Sequence, residues 1–490
     1  MAENILFLAG FAFIFAFLIL SVRGPRPVSQ KTKPQLVTDI VIDTAQAAQH
    51  LSAAIQYQTI SHQDPAQVDQ ASFAHLHAFL EQAFPLAHRT LHKEVVEEHS
   101  LLYTWRGQQS DLKPILLTGH LDVVPIEPGT EQNWSHPPFA GRIAEGYIWG
   151  RGAMDDKMAV LSILEAVEHL LQTGFQPQRT VYLAFGHDEE VGGQGAKAIA
   201  GLLDKRGIQV EFVLDEGLAI TEGIMPSVSQ PVALVGIAEK GYVSIELVAD
   251  GQGGHSATPP AHTAIGTLST AIHRLEQNPP PARLADPGRQ MLQCLAPHMP
   301  VGLRLIIGNL WLSGGLLKRQ LAASPETNAM IRTTTAATIF QAGVKENVLP
   351  TQAKAVVNAR ILPGDTIPDV IDHVRRVVDG LPIQVRALED SQNDDLPISD
   401  TDTASFALLE ETIRQIFPQV IVAPGLVIGM TDCRRYAKLS RNLYRFSPLW
   451  VTPQDMSRIH GTDERIAVEH YGKAIQFFVQ LIRNTKALTA

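Results

Sequence analysis

The sequence predicts an α/β fold, in which a mostly parallel sheet is flanked by helices and carries an inserted, smaller α+β domain. Short apolar runs of strand length alternate with amphipathic segments of helix length, a pattern typical of parallel sheets covered on both faces. From about Ala238 the strands instead alternate apolar and polar residues, and the first pattern returns after about Ser391. This return indicates that the second domain is inserted into the first.

The main domain is predicted to consist of residues 39–237 and 391–490. Helical spacing of apolar residues is found at 40–56, 71–84, 158–173 and 404–416, and from about 464 to 484. Apolar runs predicted as strands lie at 100–105, 114–118, 180–185, 211–214 and 420–422. Because ligands gather at the carboxyl ends of strands in such sheets, polar residues at these ends are the candidate functional residues.

The inserted domain is predicted at residues 238–390. Two sets of strand and helix patterns occur in it, at 241–276 and at 353–388. Between them, residues 279–325 are rich in proline and apolar side chains, including Trp311 and Leu312. A loop of this length without structure of its own is uncommon in a compact domain, so we expect a structured insertion or a functional lid.

Residues 1–24 are predicted to be a membrane anchor or an uncleaved signal, and residues 25–38 a linker with several prolines. Residues 5–22 carry no charged side chain and are just long enough to cross a bilayer. Basic residues follow this stretch, which by the positive-inside rule keeps the next domain cytoplasmic, although long domains translocate regardless of charge. We expect a membrane-anchored protein with an extracytoplasmic main domain. The charges next to residues 5–22 do not determine on which side of the membrane this domain lies.

Composition excludes several kinds of partner and cofactor. Apolar residues make up 45% and charged residues 18% of the 490 residues, and the net charge is −10, so neither a disordered chain nor a nucleic-acid-binding surface is expected. The two cysteines, Cys294 and Cys433, are far apart and form no CxxC pattern. A disulfide framework or a thiolate metal site therefore has no support, and any metal must be held by His, Asp and Glu.

His120 and Asp122 follow the apolar run 114–118 within the motif GHLDVVP. Two residues apart at a strand end, they face the same way, and a carboxylate at this spacing can fix the tautomer of a metal-binding imidazole. Taken alone, the pair is more simply explained as incidental polar residues at the end of a strand. Its interpretation as part of a metal site depends on the other motifs.

Four further turns carry acidic residues or histidine next to predicted elements. They are GRGAMDDK at 150–157, DEE at 188–190, DEG at 215–217 and HGTD at 460–463. Taken separately, Asp155 could cap the following helix, and the acidic turn 188–190 could be a solvated surface turn. Together with His120, these turns provide the imidazole and carboxylate ligands that a site for two metal ions needs.

The set of motifs resembles the aminoacylase and carboxypeptidase family of di-zinc metallohydrolases. GHLDVVP, GRGAMDDK, DEEVGG, LDEG, GGHSATPP and HGTDER occur in this order, and the similarity spans roughly residues 40–485. WGRGAMDDK, NARILPGD and the segment from RTTTA to KENVLP are most similar to the branch containing carboxypeptidase S and the N-fatty-acyl-amino-acid synthase/hydrolase. The resemblance implies a di-zinc exopeptidase-like catalytic domain in two parts, with the inserted domain as its lid.

The resemblance implies two zinc ions, for which manganese or cobalt could substitute. It also assigns the five ligands, with Asp155 bridging both ions, His120 and Asp215 binding one ion, and Glu190 and His460 binding the other. Sequence spacing cannot separate adjacent acids, so Glu216 stays the alternative to Asp215.

Two further residues of these turns receive catalytic roles from the resemblance. Asp122 orients His120, and Glu189 is the general base that takes a proton from the attacking water and passes it to the leaving nitrogen. The implied reaction is amide hydrolysis without a covalent enzyme intermediate.

In the predicted lid, the resemblance gives roles to three residues. His255, in the turn GGHSA, is implied to donate to the tetrahedral oxyanion, although a lone histidine on a turn is more often structural. Arg360 is implied to form a fork for the α-carboxylate of the substrate, although an exposed strand cation explains it equally well from the sequence alone. Asn347 is implied to assist.

Residues 429–434 resemble the substrate-contacting loop of the family and add Thr431 and Asp432 as candidate substrate-binding residues. Cys433 stands where the family pattern has a small hydroxyl residue. This departure concerns the local hydrogen bonding and not the chemistry.

These expectations combine into a zinc-dependent hydrolase of the amide between an acyl group and a free amino acid, reversible with long-chain fatty acids. The alternatives are a carboxypeptidase acting on small peptides and a catalytically silent binding protein. The expected partners are an N-acyl amino acid or peptide substrate and a membrane contacted through residues 1–24, and the oligomeric state is left open. The apolar residues of 279–325 either pack on the domain, line a pocket or meet a membrane. In the last two cases the insertion favours long acyl chains, because each buried methylene contributes about 0.8 kcal/mol.

Overall fold

The computed structural model describes residues 36–225, 227–393 and 396–488, and of residues 389–393 it describes the backbone only. These residues form two compact units. We call the described residues within 238–396 and 426–430 the inserted unit. The main unit comprises the remaining described residues, within 36–237, 397–425 and 431–488.

The main unit is built on an eight-stranded sheet. With elements numbered along the whole chain, its strands are His92–Val96 (β1), Ser100–Trp105 (β2), Ile115–His120 (β3), Val181–Gly186 (β6), Val213–Thr221 (β7), Val232–Glu239 (β8), Ile421–Val427 (β15) and Leu443–Val451 (β16). Their order in the sheet is β1–β2–β6–β3–β7–β16–β8–β15. The central pairs β6–β3, β3–β7 and β7–β16 are parallel, whereas β1–β2, β2–β6 and β16–β8 are antiparallel.

Helices cover both faces of this sheet. They are Thr44–Ile55 (α1), Gln70–Ala83 (α2), Pro85–Thr90 (α3), Lys157–Gln172 (α4), Gln194–Lys205 (α5), Ala404–Ile416 (α12) and Val468–Asn484 (α13). On one face Leu117 and Leu183 pack in a core with α1, α4, α12 and α13, and on the other face Leu116 and Ala184 pack with α5. Burial on both faces explains the uninterrupted apolar sequence of β3 and β6. The predicted α/β class is confirmed, with the parallel strands at the centre of a helix-flanked sheet.

A separate three-stranded antiparallel sheet joins distant parts of the main unit. Its strands are Arg142–Ala144 (β4), Tyr147–Trp149 (β5) and Arg465–Ala467 (β17). Strand β17 pairs with β5, with Arg465 opposite Trp149. The last helix therefore begins at Val468 and not near residue 464 as predicted, because residues 465–467 are extended by this pairing.

The inserted unit contains a four-stranded antiparallel sheet covered by two helices. Its strands are Gly241–Asp250 (β9), Thr334–Ala342 (β11), Gln352–Ile361 (β13) and Ile383–Asn393 (β14), in the order β11–β13–β9–β14. Along β13, Ala355, Val357 and Ala359 are buried, whereas the residues between them are half-buried. The buried side packs on helices Ala264–Gln277 (α6) and Ile367–Val377 (α11), and the period of two is that of a sheet with one covered face.

Residues 279–325 of the inserted unit are largely helical. They contain Asp286–Leu295 (α7), Val301–Gly308 (α8) and Leu310–Leu321 (α9), and Pro325–Ala329 (α10) follows. At the corner between α8 and α9, Asn309 is buried and its Nδ2 donates to Leu305 O (2.8 Å), while Ser313 Oγ donates to Ile306 O (2.6 Å). These bonds fix the two helices to each other.

The predicted localisation at a membrane is corrected. The predicted anchor, residues 1–24, lies outside the described residues. In the part of the chain that the structure describes, no helix is both long and apolar enough to cross a membrane. The longest, α13, has 17 residues and includes Glu469 and Lys473, whereas a span needs about 20 predominantly apolar residues. A membrane-anchored protein with an extracytoplasmic main domain is therefore not what the described residues support.

Candidate active site

His120 is the last residue of β3 and is buried in the main unit. It lies opposite Gly186 of β6, and the Leu121 N–H donates to Gly186 O (2.7 Å). Its Nδ1 lies 3.0 Å from the carbonyl oxygen of Asp122 and 3.3 Å from Asp122 Oδ1. The ring is thereby held on its Nδ1 side, and Nε2 faces Asp155.

Asp155 lies between two imidazoles. Its Oδ1 is 3.0 Å from His120 Nε2, and its Oδ2 is 3.0 Å from His460 Nε2. His460 Nε2 also lies 3.1 Å from Glu190 Oε1. Helix α4 begins at Lys157 with no side-chain capping hydrogen bond, so the alternative interpretation of Asp155 as a helix cap does not hold.

The acidic turn after β6 is tied to His120 through Asp122. The buried carboxylate of Asp122 accepts hydrogen bonds from the backbone N–H groups of Glu189 and Glu190, both at 3.2 Å. Ligand atoms of His120, Asp155 and Glu190 all lie within 4.8 Å of one another. This group can hold a metal ion, and it shows that residues 188–190 are not a solvated surface turn.

The pKa values in the cluster are set by hydrogen bonds between its carboxylates and its two imidazoles. Burial alone raises the pKa of Asp155, but the hydrogen bonds with His120 and His460 outweigh it and hold this pKa well below its usual range. Hydrogen bonds with Asp155 and Glu190 raise the pKa of His460 to about 10. The cluster thus stabilises positive charge between its carboxylates, and a divalent ion can take the place of these protons.

Asp215 and its neighbour Glu216 lie on β7 beside this cluster. Asp215 is buried, and its Oδ1 accepts from the Glu216 N–H (2.9 Å). The group of ligand atoms within 4.8 Å that is found among the described residues does not include Asp215. Burial raises the pKa of Glu216 well above its usual range, and the charge of Asp155 adds to this shift. Both acids therefore stay candidates for the remaining ligand.

Glu464 shapes the backbone that presents Asp155, and it is not among the residues that the sequence analysis predicts. Its buried Oε1 accepts from the N–H groups of Gly152 (3.0 Å), Met154 (2.7 Å) and Asp155 (3.1 Å). Its Oε2 lies 2.5 Å from Arg151 Nη1. One carboxylate thus satisfies most of the donors of this turn, as buried backbone groups require.

Arg151 extends this connection to His460. Its Nη2 donates to the carbonyl oxygens of His460 (3.0 Å) and Gly461 (3.2 Å), and His460 adopts a φ of 58°, a left-handed conformation that only surrounding contacts maintain in such a residue. Arg151 and Glu464 are 313 residues apart in the sequence. Both stand inside motifs of the resemblance, WGRGAMDDK and HGTDER, which was the available signal, but their pairing is visible only in the structure.

Asp432 is a buried neighbour of the predicted base. It lies against Gly186 and Gly193, where a Cβ would overlap its carboxylate. Burial and the charge of Asp215 raise the pKa of Asp432 to about 8. Burial and Asp432 in turn raise the pKa of Glu189 well above its usual range. Gly193 of DEEVGG and Gly186 before this motif therefore make room for an acid from a distant part of the chain.

Thr431 and Cys433 are buried beside Asp432. Thr431 Oγ1 accepts from the Cys433 N–H (3.3 Å), and Cys433 Sγ lies 3.8 Å from Tyr444 O, to which it donates. The thiol faces β16, so the departure from the family pattern at Cys433 is accommodated in the core.

His255 and Asn347 lie together in the inserted unit. His255 belongs to a short strand, Gly254–His255 (β10), which pairs with Val348–Leu349 (β12), and both His255 and Asn347 are exposed. The Ser256 N–H donates to Asn347 O (3.1 Å). The two residues are therefore presented by one small pair of strands.

Arg360 lies on the half-buried face of β13. Its guanidinium carbon is 5.0 Å from the centroid of the Tyr242 ring, and Tyr242 is its partner across β9. An aromatic face below a guanidinium orients the plane of the guanidinium.

The residues of the main unit fit a metal site. The donors are two imidazoles and several carboxylates, a set suited to zinc, manganese or cobalt. The two oxygens of Asp155 face different histidines, as a carboxylate shared by two ions requires. No thiol takes part, since Cys433 faces Tyr444.

Known proteins match the chain over most of its length. The model of peptidase family M20/M25/M40 matches residues 116–484. Probable carboxypeptidase S-like 2 of Dictyostelium discoideum is 42% identical over 96% of this chain and 92% of its own length. The N-fatty-acyl-amino acid synthase/hydrolase PM20D1 of Homo sapiens is 40% identical over 89% of this chain and 86% of its own length.

Two solved structures share the fold. The M20 family metallo-carboxypeptidase Sso-CP2 from Sulfolobus solfataricus has a TM-score of 0.65 at 18% identity, covering 91% of this chain and 100% of that one. The Bacillus subtilis YXEP protein, a dinuclear metal binding peptidase from the M20 family, has a TM-score of 0.56 at 16% identity, covering 90% of this chain and 98% of that one. The resemblance to aminoacylases and carboxypeptidases is confirmed. The chain belongs to peptidase family M20/M25/M40.

Proposed function

We propose that the chain is a metal-dependent hydrolase that cleaves the amide bond between an acyl group and a free amino acid. The observation that carries the proposal is the position of Asp155, whose carboxylate oxygens each lie 3.0 Å from the Nε2 atom of a different histidine. A carboxylate in this position can bind two cations at once. Relatives supply the substrate class, because one of them is named an N-fatty-acyl-amino acid synthase/hydrolase.

In this proposal two divalent ions, zinc by preference, are held by imidazole and carboxylate alone. The proposed ligands are Asp155 for both ions, His120 and Asp215 for one, and Glu190 and His460 for the other, with Glu216 as the alternative to Asp215. When bound, the ions polarise the scissile carbonyl and lower the pKa of the attacking water.

Glu189 is the proposed general base. Desolvation and the charge of Asp432 raise the pKa of its half-buried carboxyl, so it has the proton affinity to take a proton from water and pass it to the leaving nitrogen. Asp122 is proposed to position both His120 and this base, because the Asp122 carboxylate accepts a hydrogen bond from the Glu189 N–H (3.2 Å).

Recognition of the substrate is proposed for five residues. Arg360 is proposed to bind the α-carboxylate through two parallel hydrogen bonds, since guanidinium and carboxylate match in this geometry. His255 is proposed to donate to the oxyanion, with Asn347 assisting. Thr431 and Asp432 stay proposed substrate-binding residues. Because both are buried, we propose that they support the wall of the site.

A carboxypeptidase acting on small peptides is the second candidate. Its support is the 42% identity with probable carboxypeptidase S-like 2. Both reactions break an amide next to a free α-carboxylate, so the proposed machinery serves either. They differ in the group on the acyl side of the amide. The apolar segment 279–325 supports a long alkyl chain as this group.

Kinetics on three matched substrates separates the candidates. The N-oleoyl, N-acetyl and N-glycyl derivatives of one amino acid would be compared with the full chain after its metal content has been measured. We expect kcat/KM to be highest for the oleoyl compound and expect synthesis of the same amide from oleate and amino acid. The highest value for the dipeptide would establish the peptidase, and no turnover of any of them by metal-loaded protein would establish a silent binding protein.

A further inference from the structure

Helices α8 and α9 carry apolar side chains that point away from the unit to which they belong. Trp311, Leu312 and Leu316 on α9 are 71%, 64% and 65% exposed, and Val301 on α8 is 55% exposed. Single exposed apolar residues are ordinary in proteins. At about 100° per residue, Trp311, Leu312 and Leu316 lie within roughly 140° of the circumference of α9, and a patch of exposed apolar residues marks an interaction surface. We call these four side chains the apolar face.

The exposure of the apolar face cannot be relieved by turning α9. The inward side of the helix is already filled, since Leu317 is buried and Leu310 and Leu321 are half-buried. The bonds of Asn309 and Ser313 to α8 fix the corner at which the helix begins. Helix α9 is therefore apolar on two sides, whereas a surface helix is ordinarily apolar on the core side alone.

The segment that carries the apolar face is basic within an acidic protein. Residues 287–325 contain four Arg or Lys residues and no Asp or Glu, although the net charge of the whole chain is −10. Arg304, Lys318 and Arg319 of α8 and α9 form no ion pair with any carboxylate in the described part of the chain. Their charges are thus available to anions outside the molecule.

We propose that α8 and α9 bind the surface of aggregates of long-chain anionic amphiphiles, with the apolar face among the alkyl chains and the basic residues at the carboxylates. Helices with Trp and Leu on one side and Lys or Arg nearby lie in such interfaces because both contacts are satisfied at once. The identity of the amphiphile rests on the proposed function, since long-chain fatty acids and N-acyl amino acids are carboxylates that aggregate in water. The surface would bring the protein to its substrate in the form in which that substrate accumulates.

Hydrogen exchange read out by mass spectrometry tests the contact at the helices themselves. The full chain is measured alone, with dispersed sodium oleate, with soluble hexanoate and with phosphatidylcholine vesicles. We expect slower exchange in residues 301–321 with oleate only, and no change in α11, the reference helix of the same unit. Unchanged exchange in 301–321 with oleate, or equal protection by hexanoate or by phosphatidylcholine, overturns the proposal.

Matched variants test which side chains are responsible. Co-sedimentation of the full chain with phosphatidylcholine vesicles that contain oleate should weaken at least about tenfold for the double variant Leu312→Ser/Leu316→Ser, because two large apolar contacts are lost. Val344→Ser is the control, since Val344 is 93% exposed in the same unit but lies outside both helices. An equal loss for both variants, or none for the double variant, contradicts the proposal.

The basic residues are tested by their dependence on salt. The triple variant Arg304→Gln/Lys318→Gln/Arg319→Gln should bind oleate-containing vesicles more weakly and with less salt dependence, whereas Arg375→Gln on α11 should behave as the parent. None of these measurements requires turnover. Binding without hydrolysis of N-oleoyl amino acids would refute only the proposed function, and hydrolysis without binding would refute only this inference.

Discussion

The turn that carries Asp155 and the turn that carries His255 are built in opposite ways. Around Asp155, three backbone N–H groups are bound by the buried carboxylate of Glu464, which the sequence places far away. Around His255, the contacts are exposed: its Nδ1 accepts from the Ala257 N–H (3.0 Å), and its short strand pairs with Val348–Leu349. The difference teaches that this chain fixes Asp155 by a buried contact with Glu464 and presents His255 on an exposed pair of short strands.

The largest effect is expected from removing the side chain at the centre of the buried turn. Asp155→Ala should lose metal and reduce activity by at least about 10³-fold, because the shared ligand and the Lewis acidity that depends on it are both lost. Metal content and kcat/KM measure this directly. Asp204→Ala, at an exposed position of the same unit, is the control. Full metal content in the Asp155 variant would refute its bridging role.

The adjacent residues Glu189 and Glu190 are proposed to have different roles, which substitution can separate. Glu189→Gln should keep the metal and lose about 10² to 10⁴-fold in kcat, the usual contribution of a general base. Glu190→Gln should lose metal, since Glu190 is the proposed ligand. Metal analysis beside kinetics distinguishes the two. The same metal loss in both variants would show that the base and the ligand have been assigned wrongly.

Arg360 tests the residues that are proposed to bind the substrate. Arg360→Ala should weaken kcat/KM for N-acyl amino acids by about 1.5 to 3 kcal/mol, the value of a hydrogen bond to a charged group, and should leave the corresponding amino-acid amides nearly unaffected. Lys354→Ala is a matched control, because Lys354 lies on the same half-buried face of β13. Equal losses on acids and amides would exclude a role in carboxylate binding.

Glu464 tests whether long-range contacts fix the metal ligands. Glu464→Gln keeps the size of the side chain but removes its charge, so the turn of Asp155 loses a charged acceptor and metal affinity should fall by about 10 to 100-fold. Calorimetric titration of the metal-free protein with zinc measures this. Glu469→Gln, at an exposed position five residues on, should titrate as the parent does. Unchanged zinc affinity in the Glu464 variant would show that its contact does not fix the turn of Asp155.

The last effect is on stability alone, and it concerns a buried contact of the inserted unit that has no proposed part in the chemistry. Lys240 Nζ donates to Ala329 O (3.1 Å), Arg332 O (3.0 Å) and Thr334 Oγ1 (3.1 Å), and burial lowers its pKa from 10.5 to about 8. Between these values the unfolded chain binds more protons, so the contribution of Lys240 to stability rises with pH across this window and is lowest below about pH 8.

Lys240→Met should remove this dependence on pH. From about pH 7 to about pH 10, the free energy of unfolding of the parent should rise relative to that of the variant by on the order of 1 to 3 kcal/mol, as urea titrations would measure. Lys345→Met, at an exposed position, should run parallel to the parent. A constant difference between Lys240→Met and the parent would mean that Lys240 remains charged in the fold.

Local patterns were sufficient for much of the fold and for the residues of the cluster. The buried strands β3 and β6 are visible as apolar runs, and the motifs at their ends contain His120 and Glu190. Strand β16 was not predicted, because Arg445 and Ser447 interrupt its apolar pattern although both are buried. Burial of a polar side chain depends on its partners in space, which no local pattern contains.

The contacts between distant segments could not be predicted for the same reason. Residues 465–467 precede an amphipathic helix and look like its first turn until β5 is known to pair with them. Glu464 looks like any acid near a helix start, and its three backbone donors belong to a turn more than 300 residues earlier. The exposure of Trp311 is likewise a property of the folded surface.

The contact between Glu464 and the turn of Asp155 also sets an order in time. A chain emerging from the ribosome has His120, Asp155 and Glu190 long before it has Glu464 and His460, whereas a domain folds as a unit. Until residue 464 arrives, the N–H groups of residues 152, 154 and 155 lack the acceptor that shapes them. A chain interrupted before residue 464 would therefore carry ligands without a finished centre, so that amide-cleaving chemistry is acquired only after this residue has been added.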